Sequence, residues 1–467
     1  MDEHILFLTG KLAEKSLNRV LDQMHPGEFT YQVLNIGISV AGLMTADFIL
    51  RRLPNHGNST RIMVPGRCRG DLDMLSRHYG VPVVRGPDEL KDLPQFFGKK
   101  GASEDLSRYD VRIFAEIVDA PQSSIEQILR RAESYRKDGA DVIDLGCLPE
   151  TPFSHLEEAV AALKSAGYQI SVDSVEPKEL LRGGKAGADY LLSLKEDTLW
   201  VADEVASIPV LIPQQSGDLA SLERAMEYMM KRKRCFIADS VLDPVHFGFA
   251  DSLVRYHELR RRHPEVEIMM GVGNLTELTD ADTTGINALL MGIISELRIA
   301  NILTTEVSPH ARRAVREVDV ARRIMYAARE ASSLPRDFSS ELLTTHARKP
   351  FPDTAEEIAE LARAIKDPSY RIQVSEQGVH IYNRDGLNVA TDPFELFPLL
   401  NLENDAAHAF YLGVELARAQ IAWQLAKRYN QDEELDWGCA VERKPKDLMQ
   451  HRAPGTTLEV VKKKAKK

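Results

Sequence analysis

The sequence predicts an α/β fold, with a central (β/α)8 TIM barrel, an N-terminal α/β three-layer domain and a C-terminal α+β domain. Three observations lead there. From Val111 to about Ser332, short apolar runs alternate with longer amphipathic ones, eight times over, which is the pattern of βα units that close into a parallel barrel. Residues 1–108 show the same alternation on a smaller scale. Beyond residue 335 the style changes to short alternating runs broken by glycine-containing turns.

The N-terminal region (1–108, Rossmann-like) opens with a strand at His4–Thr9, broken by Gly10 and followed by a helical pattern to Met24. A strand at Tyr31–Ile38, a helix at Ala41–Arg52, and short strands at Arg61–Val64 and Val81–Val84 complete it. Thr9-Gly10-Lys11 is a strand-to-helix turn of the kind whose amides favour anions, but it lacks the glycine spacing of a phosphate loop. Pro65-Gly66-Arg67-Cys68-Arg69-Gly70 reads as a basic surface turn.

For the barrel (109–332) the predicted strands are Val111–Val118, Asp141–Leu145, Gln169–Asp173, Asp189–Ser193, Val210–Pro213, Cys235–Asp239, Glu267–Gly271 and Ile302–Thr305. Ser123-Ser124-Ile125-Glu126 and Ser154-His155-Leu156-Glu157 fit capping boxes. Pro177 suits a first helical position, and Gly139 and Gly187 suit left-handed helix ends. In the third region (335–440), Gln377-Gly378 and Arg384-Asp385-Gly386 mark the turns of a meander between Tyr370 and Thr391. A helix from Ala406 to Tyr429 carries Phe410, Val414, Ala417, Ile421 and Leu425 on one face, which reads as core packing against the small sheet or the barrel, with a partner-binding face as the alternative. Residues 441–467, ending in a lysine-rich run, read as a solvated basic tail.

Composition bounds the function. Hydrophobic residues are 43% and charged residues 28% of the 467, and the net charge of −11 argues against a nucleic-acid-binding surface. The four cysteines form no CxxC pair, which points to a reducing, cytoplasmic setting. No apolar run approaches the roughly 18 residues of a membrane span.

A barrel keeps its chemistry at the C-terminal ends of its strands. Asp173, in Ile170-Ser171-Val172-Asp173-Ser174, ends the third predicted strand and is the first candidate. The surrounding motifs resemble those of the pterin-binding barrels, the family of dihydropteroate synthases and methyltetrahydrofolate–corrinoid methyltransferases. Gly139-Ala140-Asp141-Val142-Ile143-Asp144-Leu145-Gly146 is similar to the second-strand signature of that family. The third strand resembles the one whose aspartate holds the pterin ring. Leu242-Asp243-Pro244 is similar to the step that supplies a second pterin-binding acid, and Gly271-Val272-Gly273-Asn274 to the strand whose asparagine reaches the reactive edge. Arg316-Glu317-Val318-Asp319-Val320 resembles the late motif whose arginine meets an anion. As a whole chain, the protein looks like the dihydropteroate-synthase-related proteins of methanogens and methylotrophs, which are associated with tetrahydromethanopterin-type one-carbon metabolism.

The resemblance implies a reduced pterin as ligand and a transferase reaction: dihydropteroate-synthase-like condensation of a dihydropterin diphosphate with an arylamine first, methyl transfer from a methylpterin second, with a non-catalytic pterin-binding or regulatory module as the third reading. Asp173, Asn274 and Arg316 would be catalytic, and Asp144, Asp173, Asp243, Asn274, Ser193 and Gln214 would bind substrate. The family's magnesium leaves two readings here: Asp119 stands in for the first-strand asparagine, or the metal is absent. Expected partners are the pterin, an arylamine phosphate, a corrinoid protein in the methyltransferase reading, and a second copy in a homodimer. The chain departs from the family in the second-loop arginine, the fourth-strand asparagine, the seventh-strand lysine and the late histidine, which is Val318 here. Taken alone, the residues leave plainer roles open. Asp144 could hold loop amides, and Asp173 could cap the helix at Pro177. Asp243 could be a turn acid, with Asp239 competing for its role. Arg316 could pair with solvent-side acids.

Overall fold

The computed structural model describes residues 3–24, 29–88, 90–97, 105–402 and 405–442. The predicted basic tail, apart from residues 441 and 442, lies outside them.

The chain divides into two compact units. The first unit begins with β1 (Glu3–Thr9), α1 (Glu14–Met24), β2 (Phe29–Asn35), α2 (Ala46–Arg52), β3 (Arg61–Val64), α3 (Leu72–Tyr79), β4 (Val83–Arg85) and α4 (Leu93–Phe96). Its sheet is parallel, in the order β2-β1-β3-β4. Side chains alternate along β1, so Leu6 and Leu8 pack with Ile49 and Leu75 on one face. Ile5 and Phe7 pack with Leu17 and Leu21 on the other. Helices cover both faces, which gives three layers. In the Thr9-Gly10-Lys11 turn the amides of Lys11 and Leu12 donate to the Ile38 and Ser39 carbonyls, so the fold itself uses them.

The second unit is the barrel. It runs through β5 (Arg112–Ile117), α5 (Ile125–Asp138), β6 (Val142–Gly146), α6 (Leu156–Ser165), β7 (Gln169–Asp173), α7 (Pro177–Lys185), β8 (Tyr190–Leu194) and α8 (Trp200–Glu204). It continues with β9 (Ile208–Leu211), α9 (Leu219–Lys231), β10 (Ile237–Ala238), α10 (Phe249–Arg262), β11 (Met269–Gly271), α11 (Gly273–Thr276), α12 (Thr283–Glu296), β12 (Asn301–Thr305) and α13 (Ala314–Glu330). All eight strands are parallel, in the order β10-β9-β8-β7-β6-β5-β12-β11, and a parallel bridge from Ala238 to Ile268 closes the ring. The expected barrel is present.

Local chemistry explains the helix ends. The capping box of α5 uses Ser124 and Gln127, one residue later than expected. At α6 the cap position is His155, without a side-chain cap, so the second expected box is absent. Gly139 and Gly187 take the expected positive φ, 113° and 102°, and Pro177 opens α7.

The chain then returns to the first unit with α14 (Ala355–Ala364), the antiparallel meander β13 (Arg371–Ser375), β14 (Gly378–Asn383) and β15 (Gly386–Ala390), α15 (Pro393–Leu396) and α16 (Ala406–Gln424). Both predicted glycine turns are where expected, at Gly378 and Gly386. Two readings need correction. The sequence suggested three separate bodies. In the structure the first and third regions form one unit, joined by the 2.8 Å Arg428–Asp92 ion pair and by Leu12 packing on Ile358 and Tyr382. Residues 333–344 and 437–442 belong with the barrel. On α16 the predicted stripe is the outer one, since Phe410 is 65% exposed while Leu412, Leu416, Ala419 and Ala422 are buried. The helix is apolar on two faces, so periodicity alone could not choose between them. Among the described residues, no helix is long and apolar enough to cross a membrane.

Candidate functional site: an acidic barrel mouth

Strand alternation builds the barrel interior in layers. The lowest layer is polar, with Arg112 donating to Asn301 Oδ1 and Tyr190 Oη (each 2.9 Å) and pairing with Glu267. Above it lies a plug of Phe114, Val142, Tyr190, Leu192, Val210, Ile237 and Met269. Two residues further along the first two strands, the side chains become acidic. Glu116 is in register with Asp144, and Asp144 with Ser171. Asp173, two residues beyond Ser171, completes the group. One carboxylate oxygen each from Glu116, Asp144 and Asp173 lies within 4.8 Å of the others.

The three acids are poorly compensated. Asp144 is fully buried. Its Oδ1 accepts from Ser171 Oγ at 2.5 Å, while Oδ2 has no partner among the described residues. Asp173 Oδ1 accepts from Ser193 Oγ at 3.0 Å. Burial, followed by the charges of Asp173 and Glu277, pushes Glu116 up to about 7. Burial and the neighbouring acids likewise hold Asp144 well above the carboxylate range, and burial raises Asp173. Two backbone features shape the group. Ser193 has φ +138° at a bulge between Leu192 and Leu194, a strained conformation for a non-glycine residue that turns its hydroxyl to Asp173. A Cβ at Gly146 would sit 2.5 Å from Glu116 Oε1, so glycine makes room for that carboxylate.

Other expected residues stand near the same strand ends. Gln214, beyond β9, donates from Nε2 to Asp197 Oδ2 at 3.1 Å, and its Oε1 is buried without a partner. Asp239 directly follows β10. Its Oδ1 accepts from Tyr256 Oη (2.5 Å) and from the Val241 amide (2.7 Å). Burial raises it to about 6, and the Asp173 charge adds to the shift. Asp243 instead pairs with Arg255 at 2.5 Å and accepts from Ser216 Oγ at 3.0 Å. Asn274, at the start of α11, donates to the Leu242 carbonyl at 2.7 Å, which leaves its Oδ1 outside that bond.

Two expected residues stand apart from this group. Arg316 donates to Asp319 Oδ2 at 3.0 Å and to Glu341 Oε2 at 2.8 Å. Asp319 packs against Gly139, just ahead of the start of β6, so Arg316 is anchored toward the rim opposite the carboxylates. Asp119 is half exposed and pairs with Arg131 at 3.5 Å. The acid that β5 contributes to the cluster is Glu116, three residues earlier. A signal for it was present, since Glu116 is the one acid inside the apolar run Ile113–Ile117. The plain alternative for Asp173 also falls, because the cap position of α7 is Glu176.

Residues 3–88 match a model described as "Family of unknown function (DUF6513)". An uncharacterised protein of Methanocaldococcus jannaschii is 27% identical, covering 92% of this chain and 98% of that protein. Among solved structures, the chain is similar to Yersinia pestis dihydropteroate synthase with a pterine-sulfa conjugate (18% identity, TM-score 0.37, 49% of this chain and 95% of that one). It is also similar to the Thermus thermophilus enzyme in complex with 6HMPPP (19%, 0.36, 48% and 95%). A third is the Anaplasma phagocytophilum enzyme with bound 6-hydroxymethylpterin-monophosphate (17%, 0.36, 46% and 98%).

Proposed function

We propose that the barrel binds a reduced pterin at its acidic mouth and acts as a transferase of one-carbon cofactor metabolism, of the folate or tetrahydromethanopterin type. The observation that carries this reading is the meeting of Asp173 and Asp144 beside Ser193, with Asp144 Oδ2 unpartnered. A pterin presents a ring N–H next to an exocyclic amine. A carboxylate accepts both in parallel, forming two charge-assisted bonds. Such a donor edge supplies what the buried acids lack. Gln214 Oε1 and Asn274 Oδ1 are further acceptors for ring and amine hydrogens.

The reaction we favour is dihydropteroate-synthase-like condensation. The nitrogen of an arylamine, or arylamine phosphate, attacks the methylene carbon of a dihydropterin diphosphate. A C–N bond forms, and the C–O bond breaks with its electron pair leaving on the diphosphate. The amine proton passes to a carboxylate or to water.

Methyl transfer is the second reading, and one observation favours it: Arg316, the cation expected to meet the leaving diphosphate, is held by Asp319 and Glu341. In that reaction the N–CH3 bond of a reduced methylpterin breaks and its electron pair stays on nitrogen, which takes a proton. The methyl group goes to the reduced cobalt of a separate corrinoid protein.

Two incubations separate the readings. Diphosphate release from dihydropterin diphosphate plus arylamine supports condensation. Cobalt methylation from methylpterin plus a corrinoid protein supports methyl transfer. Pterin binding with neither product leaves a non-catalytic pterin-binding module, and absence of pterin binding rejects the whole reading.

A further inference from the structure

Three carboxylates on adjacent strands, one oxygen of each within 4.8 Å of the others, form a donor set that side chains of this protein leave unbalanced. Among the described residues, none of the three carboxylates forms an ion pair. A second, independent observation concerns Asp144. It is fully buried, its Oδ1 is satisfied by Ser171, and its Oδ2 has no donor among the described residues. The large majority of buried polar atoms in folded proteins have a partner, whether a protein group, an ordered water or an ion. Gly146 adds a third point, since any side chain there would displace the Glu116 carboxylate from the group.

We propose that Glu116, Asp144 and Asp173 bind a divalent, oxygen-seeking cation. The spread of the oxygens suits it. Ligands at about 2.1–2.4 Å from a metal stand about 3 Å apart when adjacent and about 4.2–4.8 Å apart when opposite. An all-carboxylate set selects magnesium, manganese or calcium over zinc or copper. Three protein oxygens leave the other coordination positions for water or for an oxygen of a bound molecule. A carboxylate has about four lone-pair sites, so Asp144 and Asp173 can each hold the cation and still accept from a ligand. The proposal goes beyond the pterin reading and does not rest on it. Asp119, held by Arg131, is outside the donor set.

The test uses the full chain, stripped with chelator and free of pterin. It is titrated with manganese(II) by calorimetry and followed by electron paramagnetic resonance of the bound ion. One manganese per chain is expected, displaced by excess magnesium or calcium. Glu116→Gln and Asp144→Asn should each weaken it by about tenfold or more. Each variant removes a poorly compensated charge, so its metal-free melting temperature should be no lower than that of the wild type, and that melt verifies folding. Failure of the folded wild-type chain to bind manganese overturns the proposal. So does binding that is equally tight in both folded variants. A dihydropterin titration with chelator present reports on the pterin pocket separately, so either idea can fail while the other stands.

Discussion

Replacing Asp173 with asparagine tests recognition at the barrel mouth. In the wild type, Ser193 Oγ donates to Asp173 Oδ1 at 3.0 Å. The asparagine therefore turns its carbonyl oxygen to Ser193 and its amide nitrogen into the site. That nitrogen is a donor, and it meets the N–H edge of the pterin. Hydrogen bonds to a charged group contribute about 1.5–3 kcal/mol each. One such bond is lost, and two donors are brought face to face. A loss of about 3 kcal/mol, or about 100-fold in Kd, follows. The free protein should respond in the opposite sense. Asp173 is one of the charges that push Glu116 and Asp144 upward, so neutralising it relieves repulsion. Each 1 kcal/mol gained raises the melting temperature of a domain this size by about 2–4 °C. The assay is calorimetric titration with a dihydropterin, chelator present, alongside a thermal melt. A folded Asp173→Asn protein that binds within about threefold of the wild type would refute the reasoning.

Two further outcomes concern the barrel frame. Arg322 is buried and donates to Asp319, Asp141 and the Val111 and Gly139 carbonyls, with its guanidinium 3.6 Å from the Tyr109 ring centre. Arg322→Ala leaves two acids without this partner and should destabilise by about 3–5 kcal/mol; an unchanged chemical-denaturation midpoint would show that the network contributes nothing. Burial raises Glu306 to about 7, above its ordinary 4.5. Because the folded value is the higher one, ionisation costs stability, so the wild type should lose stability as pH rises from about 4.5 to above 7. A shift of this size corresponds to about 3 kcal/mol. Glu306→Gln keeps an acceptor for the Val315 amide, so melts should show it more stable than the wild type at pH 8 and nearly equal at pH 5. Parallel pH profiles would count against this reading of Glu306.

Much was legible in the chain itself because the signals are local. The eight barrel strands follow from apolar runs a few residues long, and the helix ends at Gly139, Pro177 and Gly187 follow from backbone preferences of single residues. The Asp385-Gly386 hairpin is read the same way. Asp173 stood out because it ends a strand. Where the sequence misled, the deciding facts were relations between distant segments. Glu116 joins Asp144 and Asp173 only through the register of three neighbouring strands. Arg316 is removed from that group by Glu341, 25 residues further on. The buried face of α16 was chosen by the sheet it packs against. The union of the first and third regions rests on contacts such as Arg428 with Asp92, 336 residues apart. Periodicity and turn chemistry are written within a few bonds of each residue. Charge balance, register and the choice between two apolar faces are settled only when strands and helices meet.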